Sequence, residues 1–153
     1  MHSEGHVGFS LSVLSLFMVT FGWIDIGSIT MCFFLAVFSL LPDIDLRLRP
    51  LVTHRGVTHT LLAGIIFGII LAGITSYAGY GWSIGLVAGF GGTVLHLVGD
   101  ILNYTKIKPL WPFSHREVAL GLFKSSNWVA NKGFATLGGL ALLVIFLKYV
   151  GYL

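Results

Sequence analysis

Charge is what this chain has least of. Lys, Arg, Asp and Glu make up 10% of its residues, against about 25% in an ordinary soluble domain. With so little to solvate, most of the chain cannot be water-facing surface. A mean hydropathy of +0.90 places it in the membrane class. Cysteine is nearly absent. Cys32 stands alone, so no intrachain disulfide can form, and its position inside an apolar run reads as a small core residue. No basic block with interleaved aromatics is present, so the nucleic-acid-binding signature is missing. Met1 to Gly8 carries Glu4, His2 and His6 but no Lys or Arg. That is unlike the charged head of a signal peptide, and the first apolar segment is expected to be a retained helix.

What the chain does have is apolar runs. Five emerge, over about residues 7–23, 26–41, 57–77, 82–103 and 133–152, each read against the roughly 17–25 residues a helix needs to cross a bilayer. The first two are at the short end, and Pro42 stops the second. The expected fold is all-α: a single membrane-embedded domain over residues 1–153, polytopic, with about five transmembrane helices and a metal cluster at one membrane face. The turns after the first and third segments are short, so each joins antiparallel helices. If His6 marks side A, the second segment returns Asp43 and Asp45 to A. The third starts there with His59, the fourth returns His96 and Asp100, and the fifth leaves. Arg47, Arg49, Arg55, Lys106, Lys108, Arg116, Lys124 and Lys132 all fall on A, and only Lys148 lies near the far end. The positive-inside rule then makes A the cytoplasmic side of the cell (inner) membrane.

Glycines four apart, Gly64 with Gly68 and Gly81 with Gly85 and Gly89, allow close helix approach. They fit either a homodimer seam or packing of the third segment on the fourth. The long connection over residues 104–132 combines Trp111, Pro112 and Phe113 with lysines and an amphipathic run from His115 to Phe123. It reads as a re-entrant or surface-lying lid at headgroup depth, with a plain extramembrane loop as the alternative.

The ligand-type residues gather at the A ends. His96 and Asp100 are spaced i, i+4 and share a helix face, which Asn103 continues. In Leu41-Pro42-Asp43-Ile44-Asp45 the proline ends a helix, and the two aspartates are expected to alternate in an extended piece, one reaching a metal while the other holds an imidazole. In His54-Arg55-Gly56-Val57-Thr58-His59, His59 opens the third helix, Gly56 lets the backbone approach closely, and Arg55 offers a planar fork for a phosphate-type oxygen. Six metal-ligand candidates result: His6, Asp43, Asp45, His59, His96 and Asp100. The first choice among them is Asp45, His59, His96 and Asp100, with His6 and Asp43 completing or bridging a second site. A mixed His and Asp set suits a divalent transition metal, zinc first, with manganese or iron next. It exceeds what one catalytic zinc needs, so two ions are expected.

These motifs carry a resemblance. Glu4-Gly5-His6, Leu41 to Asp45, His54 to Thr60, His96 to Asp100 and Pro109 to Pro112 together resemble the YdjM family of bacterial and archaeal membrane proteins, described as membrane-bound metal-dependent hydrolases. Thr60 stands where the family pattern has serine, and the connection from Asp45 to His54 is short. The resemblance implies a hydrolase without naming its substrate. A fainter one, in the order His, Asp, His, HxxxD, is to the zinc-dependent phospholipase C and P1-type nuclease group. It implies phosphoester chemistry and favours His59 over His54 as ligand.

The expected function is therefore metal-dependent hydrolysis of a phosphoester by metal-activated water, with a membrane lipid (a phospholipid or an isoprenoid phosphate) as substrate. Asp43 or His54 would accept the proton and Arg55 would clamp the phosphoryl oxygens. The rivals are a metal or proton transporter, disfavoured because the ionisable residues gather at one end, and a structural protein whose metal only staples helices.

Overall fold

The computed structural model describes residues 1–46 and 55–153. Arg47, Arg49 and His54, which the sequence reading used for orientation and as a proton acceptor, lie outside the described residues. The described residues form five α-helices: α1 (Ser3–Phe21), α2 (Ile26–Phe38), α3 (Leu61–Tyr77), α4 (Trp82–Ile101) and α5 (Trp128–Tyr149). Two short 3-10 turns, Leu41–Leu46 and Val57–His59, sit between α2 and α3. No strand occurs among the described residues. Four spans, Ser3–Phe21, Ile26–Leu46, Trp82–Ile101 and Trp128–Tyr149, are long and apolar enough to cross a membrane. Helix α2 has 13 residues, as the short second segment led us to expect, and the 3-10 turn carries its span on to Leu46; α3, with 17, is also short, while α1 has 19.

The helix starts explain the shifted boundaries. Asp25 caps α2 by accepting from the Ser28 amide at 2.7 Å, and Thr60 caps α3 by accepting from the Ala63 amide at 3.1 Å. His59 therefore lies in the 3-10 turn before α3 and does not open the helix. Asn127 caps α5, so that helix begins earlier than expected. The Leu41–Leu46 piece is a 3-10 turn, not an extended segment. Proline is tolerated in a first turn because its missing N–H has no partner to lose there.

Three close seams set the helix directions. Along α3 and α4 a Cβ on Gly89 would meet the Gly68 Cα at 2.9 Å, and one on Gly64 would meet Thr93. Those pairings run antiparallel and use Gly64, Gly68, Gly85 and Gly89 within the chain. Along α2 and α4, Gly27 meets Ile84, Gly92 meets Leu35, and His96 reaches Ser39, so the two run parallel. Along α1 and α5, Gly5 meets Asn131, Gly8 meets Phe134 and Ala135, and Phe9 meets Phe134, again parallel. Helices α1 and α5 thus leave, and α2 and α4 return to, the same end. The core of Leu11, Leu14, Met18, Cys32, Leu35, Leu71, Ala88 and Ile145 fills the bundle.

The connection after α4 is not helical over His115–Phe123. Val118 exchanges backbone hydrogen bonds with Ile107 at 2.9 and 3.1 Å. The Leu120 and Leu122 amides donate to the carbonyls of Ile101 and Leu102. The Leu61 amide donates to the Pro109 carbonyl at 2.8 Å, which ties the connection to the start of α3 beside the cluster.

Candidate metal centre

Six side chains predicted from the sequence come together at that end: His6, Asp43, Asp45, His59, His96 and Asp100. His6, Asp45, His59 and His96 are fully buried, and Asp100 is nearly so. Of the six only Asp43 clearly reaches the surface, at 18% exposure, and the neighbouring Arg55 does so at 15%.

The atoms that meet are specific. His59 Nε2 and His96 Nε2 lie 3.2 Å apart. Asp43 Oδ1 lies 3.4 Å from His59 Nε2 and 3.7 Å from His96 Nε2. Asp100 Oδ2 lies 3.6 Å from His59 Nε2 and 3.8 Å from His96 Nε2. A tetrahedron of donors with bonds of about 2.1 Å has edges of about 3.4 Å. These five distances, 3.2 to 3.8 Å, lie near that value, so the two imidazoles could share one small metal ion with either carboxylate. Donor atoms of His59, His96 and Asp100, and likewise of His6, Asp43 and His96, lie within 4.8 Å of one another and could hold an ion.

The hydrogen positions agree. His96 Nδ1 faces the Ser39 carbonyl at 2.7 Å. A carbonyl only accepts, so Nδ1 carries the hydrogen and the neutral ring offers its Nε2 lone pair to the centre. His59 Nδ1 lies 3.2 Å from Asp45 Oδ2 and 3.1 Å from Thr58 Oγ1, whose hydroxyl itself donates to Asp45 Oδ2 at 2.9 Å. The hydrogen of His59 is therefore on Nδ1, and its Nε2 lone pair faces that of His96. Two lone pairs at 3.2 Å beside two carboxylates form a site for a cation. Asp100 Oδ2 is buried and makes no hydrogen bond among the described residues; its neighbours are the two imidazoles and the Arg55 guanidinium.

Arg55 meets both oxygens of Asp100, with Nε 3.3 Å from Oδ2 and Nη2 3.4 Å from Oδ1. Its backbone is left-handed, with φ 61°, and its amide donates to Asp45 Oδ2 at 2.9 Å. His6 stacks on His96 with ring centroids 3.8 Å apart, and its Nε2 is 3.4 Å from Asp100 Oδ1. The Met1 amino group lies between them, 2.9 Å from Asp100 Oδ1 and 3.0 Å from His6 Nε2. That position, too, attracts positive charge.

Several contributors carry no ligand signature in the sequence. The Ser39 carbonyl and the Thr58 hydroxyl are two. Asn103 was noted only as continuing the His96 face; its amide donates to Asp100 Oδ1 at 3.1 Å. His115 is exposed in the connection.

No curated protein and no solved structure matches the chain. A family model does, and over its whole length. The buried His and Asp cluster at the end of an apolar helical bundle is what the motifs resembling that family assemble, and the chain belongs to the YdjM inner membrane protein family, whose model matches residues 1–153.

Proposed function

We propose that this protein is a metal-dependent membrane hydrolase acting on a phosphoester, with a phospholipid or isoprenoid phosphate as substrate. The reading rests above all on one observation: His59 Nε2 and His96 Nε2 lie 3.2 Å apart, and Asp43 Oδ1 and Asp100 Oδ2 each lie 3.4 to 3.8 Å from both. These four would hold a divalent transition ion, zinc first, then manganese or iron. A second ion would sit at His6 and Asp43, whose donor atoms lie with that of His96 within 4.8 Å of one another. Such an ion supplies Lewis-acid activation of water and neutralises charge developing on phosphoryl oxygens.

The chain's own residues supply the rest. Arg55 presents a planar fork at the partly open side of the cluster and would bind two phosphoryl oxygens, exchanging Asp100 for them. Asp43 reaches the surface beside it and has a second oxygen to take a proton from water. His54 stays a candidate for that proton on sequence grounds. Burial of His6, His59 and His96 keeps bulk water from the donors, which strengthens every charge interaction there. Ile44, Leu46 and Val57 are exposed next to Asp43 and Arg55. An amphiphile could lay its chain on them with its phosphate at the fork. The site is read as cytoplasmic from the charge distribution, in a multi-pass protein. Of the glycines behind the homodimer proposal, Gly81 is open, with nothing within 4 Å of an added Cβ.

One observation favours a second reading, a metal that only staples helices. Four protein donors close a structural zinc site, while catalytic sites leave one position open. Arg55 and the partial exposure of Asp43 argue for the open form. The deciding assay offers phospholipids and prenyl phosphates in detergent to protein loaded with Zn²⁺ or Mn²⁺, and follows release of phosphate or headgroup. Turnover that EDTA abolishes and metal restores supports the hydrolase. Bound metal with no turnover across the panel supports the staple.

A further inference from the structure

We infer that Asp45 and Asn103 are positioning residues of the metal centre and not ligands to it, each holding the far side of one donor group so that its near atom faces the others. The inference rests on the centre proposed above and assigns its supports.

Asp45 lies on the wrong side of His59 to share an ion with it. Its Oδ2 faces Nδ1 at 3.2 Å, whereas the donor that meets His96 is Nε2, across the ring. The same oxygen already receives the Thr58 hydroxyl and the Arg55 amide, both at 2.9 Å. An oxygen taking three hydrogens has no lone pair left to offer. What it does is fix the ring: Nδ1 stays the donor, and the Nε2 lone pair stays turned toward His96. Imidazole ligands held by a carboxylate in this way are better donors, and loss of such a partner weakens metal binding 10- to 100-fold as an order of magnitude. Asp45 also secures the left-handed Arg55, a conformation that is strained for a non-glycine residue. One carboxylate thereby sets a ligand and the phosphate fork together.

Asn103 does the corresponding work on Asp100. It is fully buried, and its Nδ2 donates to Asp100 Oδ1 and to the Gly99 carbonyl at 3.1 and 3.3 Å. Oδ1 is engaged by that amide, so the carboxylate presents Oδ2 to the two imidazoles.

The test uses the full chain in detergent and needs no turnover. Co²⁺ and Zn²⁺ affinities are measured for wild type, Asp45→Asn, Asn103→Leu and Thr58→Val, with Asp43→Asn as the comparator that removes a donor. Asp45→Asn and Asn103→Leu should bind on the order of 10- to 100-fold more weakly. At saturating Co²⁺ their visible absorption band should keep the wild-type position and intensity, because the donor set is unchanged. Asp43→Asn should alter the band. Thr58→Val, which keeps side-chain shape, should weaken affinity in the same direction by less, and it carries the test should Asp45→Asn not fold. An Asp45→Asn spectrum changed in the way of Asp43→Asn would make Asp45 a ligand and overturn the assignment. Wild-type affinity in all three support variants would remove the positioning role. Wild type that takes up neither ion would remove the centre and this inference with it. Lack of hydrolysis by metal-loaded wild type counts against the hydrolase reading alone.

Discussion

Half of the chain's acidic residues, Asp43, Asp45 and Asp100, are packed against three of its histidines inside an otherwise apolar bundle. Burying a carboxylate costs several kcal/mol unless charge and hydrogen bonds offset it. Here the offset comes from Arg55, from the Met1 amine and from imidazole and amide hydrogens. Removing a donor should therefore show first in metal content. His96→Ala and Asp100→Ala should each lose bound metal while circular dichroism stays helical, and exposed His115→Ala should keep it. Undiminished metal in both donor variants by elemental analysis would rule out the α4 site. Arg55 separates binding from chemistry. Arg55→Lys keeps the charge and loses the fork, so metal should remain while phosphate release falls on the order of 10²-fold, by analogy with other preorganised donors. Full activity in that variant would take the clamp out of the mechanism. The residue types were legible because the motifs put His and Asp at the ends of apolar runs. Which aspartate faces which nitrogen was not legible. Read as extended, Asp43 and Asp45 differ only by alternation. In a 3-10 turn each is sent to a different edge of His59. The Ser39 carbonyl has no sequence signature at all, since every residue has one.

Helix seams decide how precisely those donors meet. The α3–α4 glycines were visible as a four-residue repeat, though the repeat alone fits contact within one chain or between two. The α1–α5 seam escaped that pattern, because Gly5 and Gly8 are three apart and meet Asn131, Phe134 and Gly138 on a distant helix. It matters for the site, since α1 carries His6. A Cβ at Gly8 would run into the Phe134 carbonyl and the Ala135 backbone, which cannot swing aside as a flexible side chain would. Gly8→Leu should therefore lower stability by about 1–3 kcal/mol or more, the usual cost of overpacking. It should also weaken any binding that uses His6. Gly139→Leu is the control, as a Cβ there meets nothing within 4 Å. Thermal unfolding of both variants in one detergent reads the difference, and equal midpoints would mean that the seam is not tight.

Across the whole molecule, the donors and most of the cations share one end. Arg55 lies in the cluster, Lys106, Lys108, Arg116 and Lys124 lie in the connection tied to it, Lys132 near the start of α5 pairs with Glu4 of α1, and Lys148 closes α5 at the other end. Lys106 and Lys108 share Glu117 at 3.7 Å each. All three are well exposed, so these pairs add little to stability, and their informative property is location. Under the positive-inside rule the cluster end is expected to face the cytoplasm. An exposed thiol on each side tests it: Lys108→Cys in the connection, and Tyr80→Cys in the α3–α4 turn. With Cys32 replaced by serine, a membrane-impermeant maleimide applied to intact cells should label position 80. Position 108 should react only after the membrane is opened. The reverse pattern would turn the protein over and put Arg55 and Asp43 on the outer face, where any lipid phosphoester they meet would belong to the other leaflet. The substrate panel for the hydrolysis assay therefore follows from this result, because the site reaches headgroups only at its own end of the bundle.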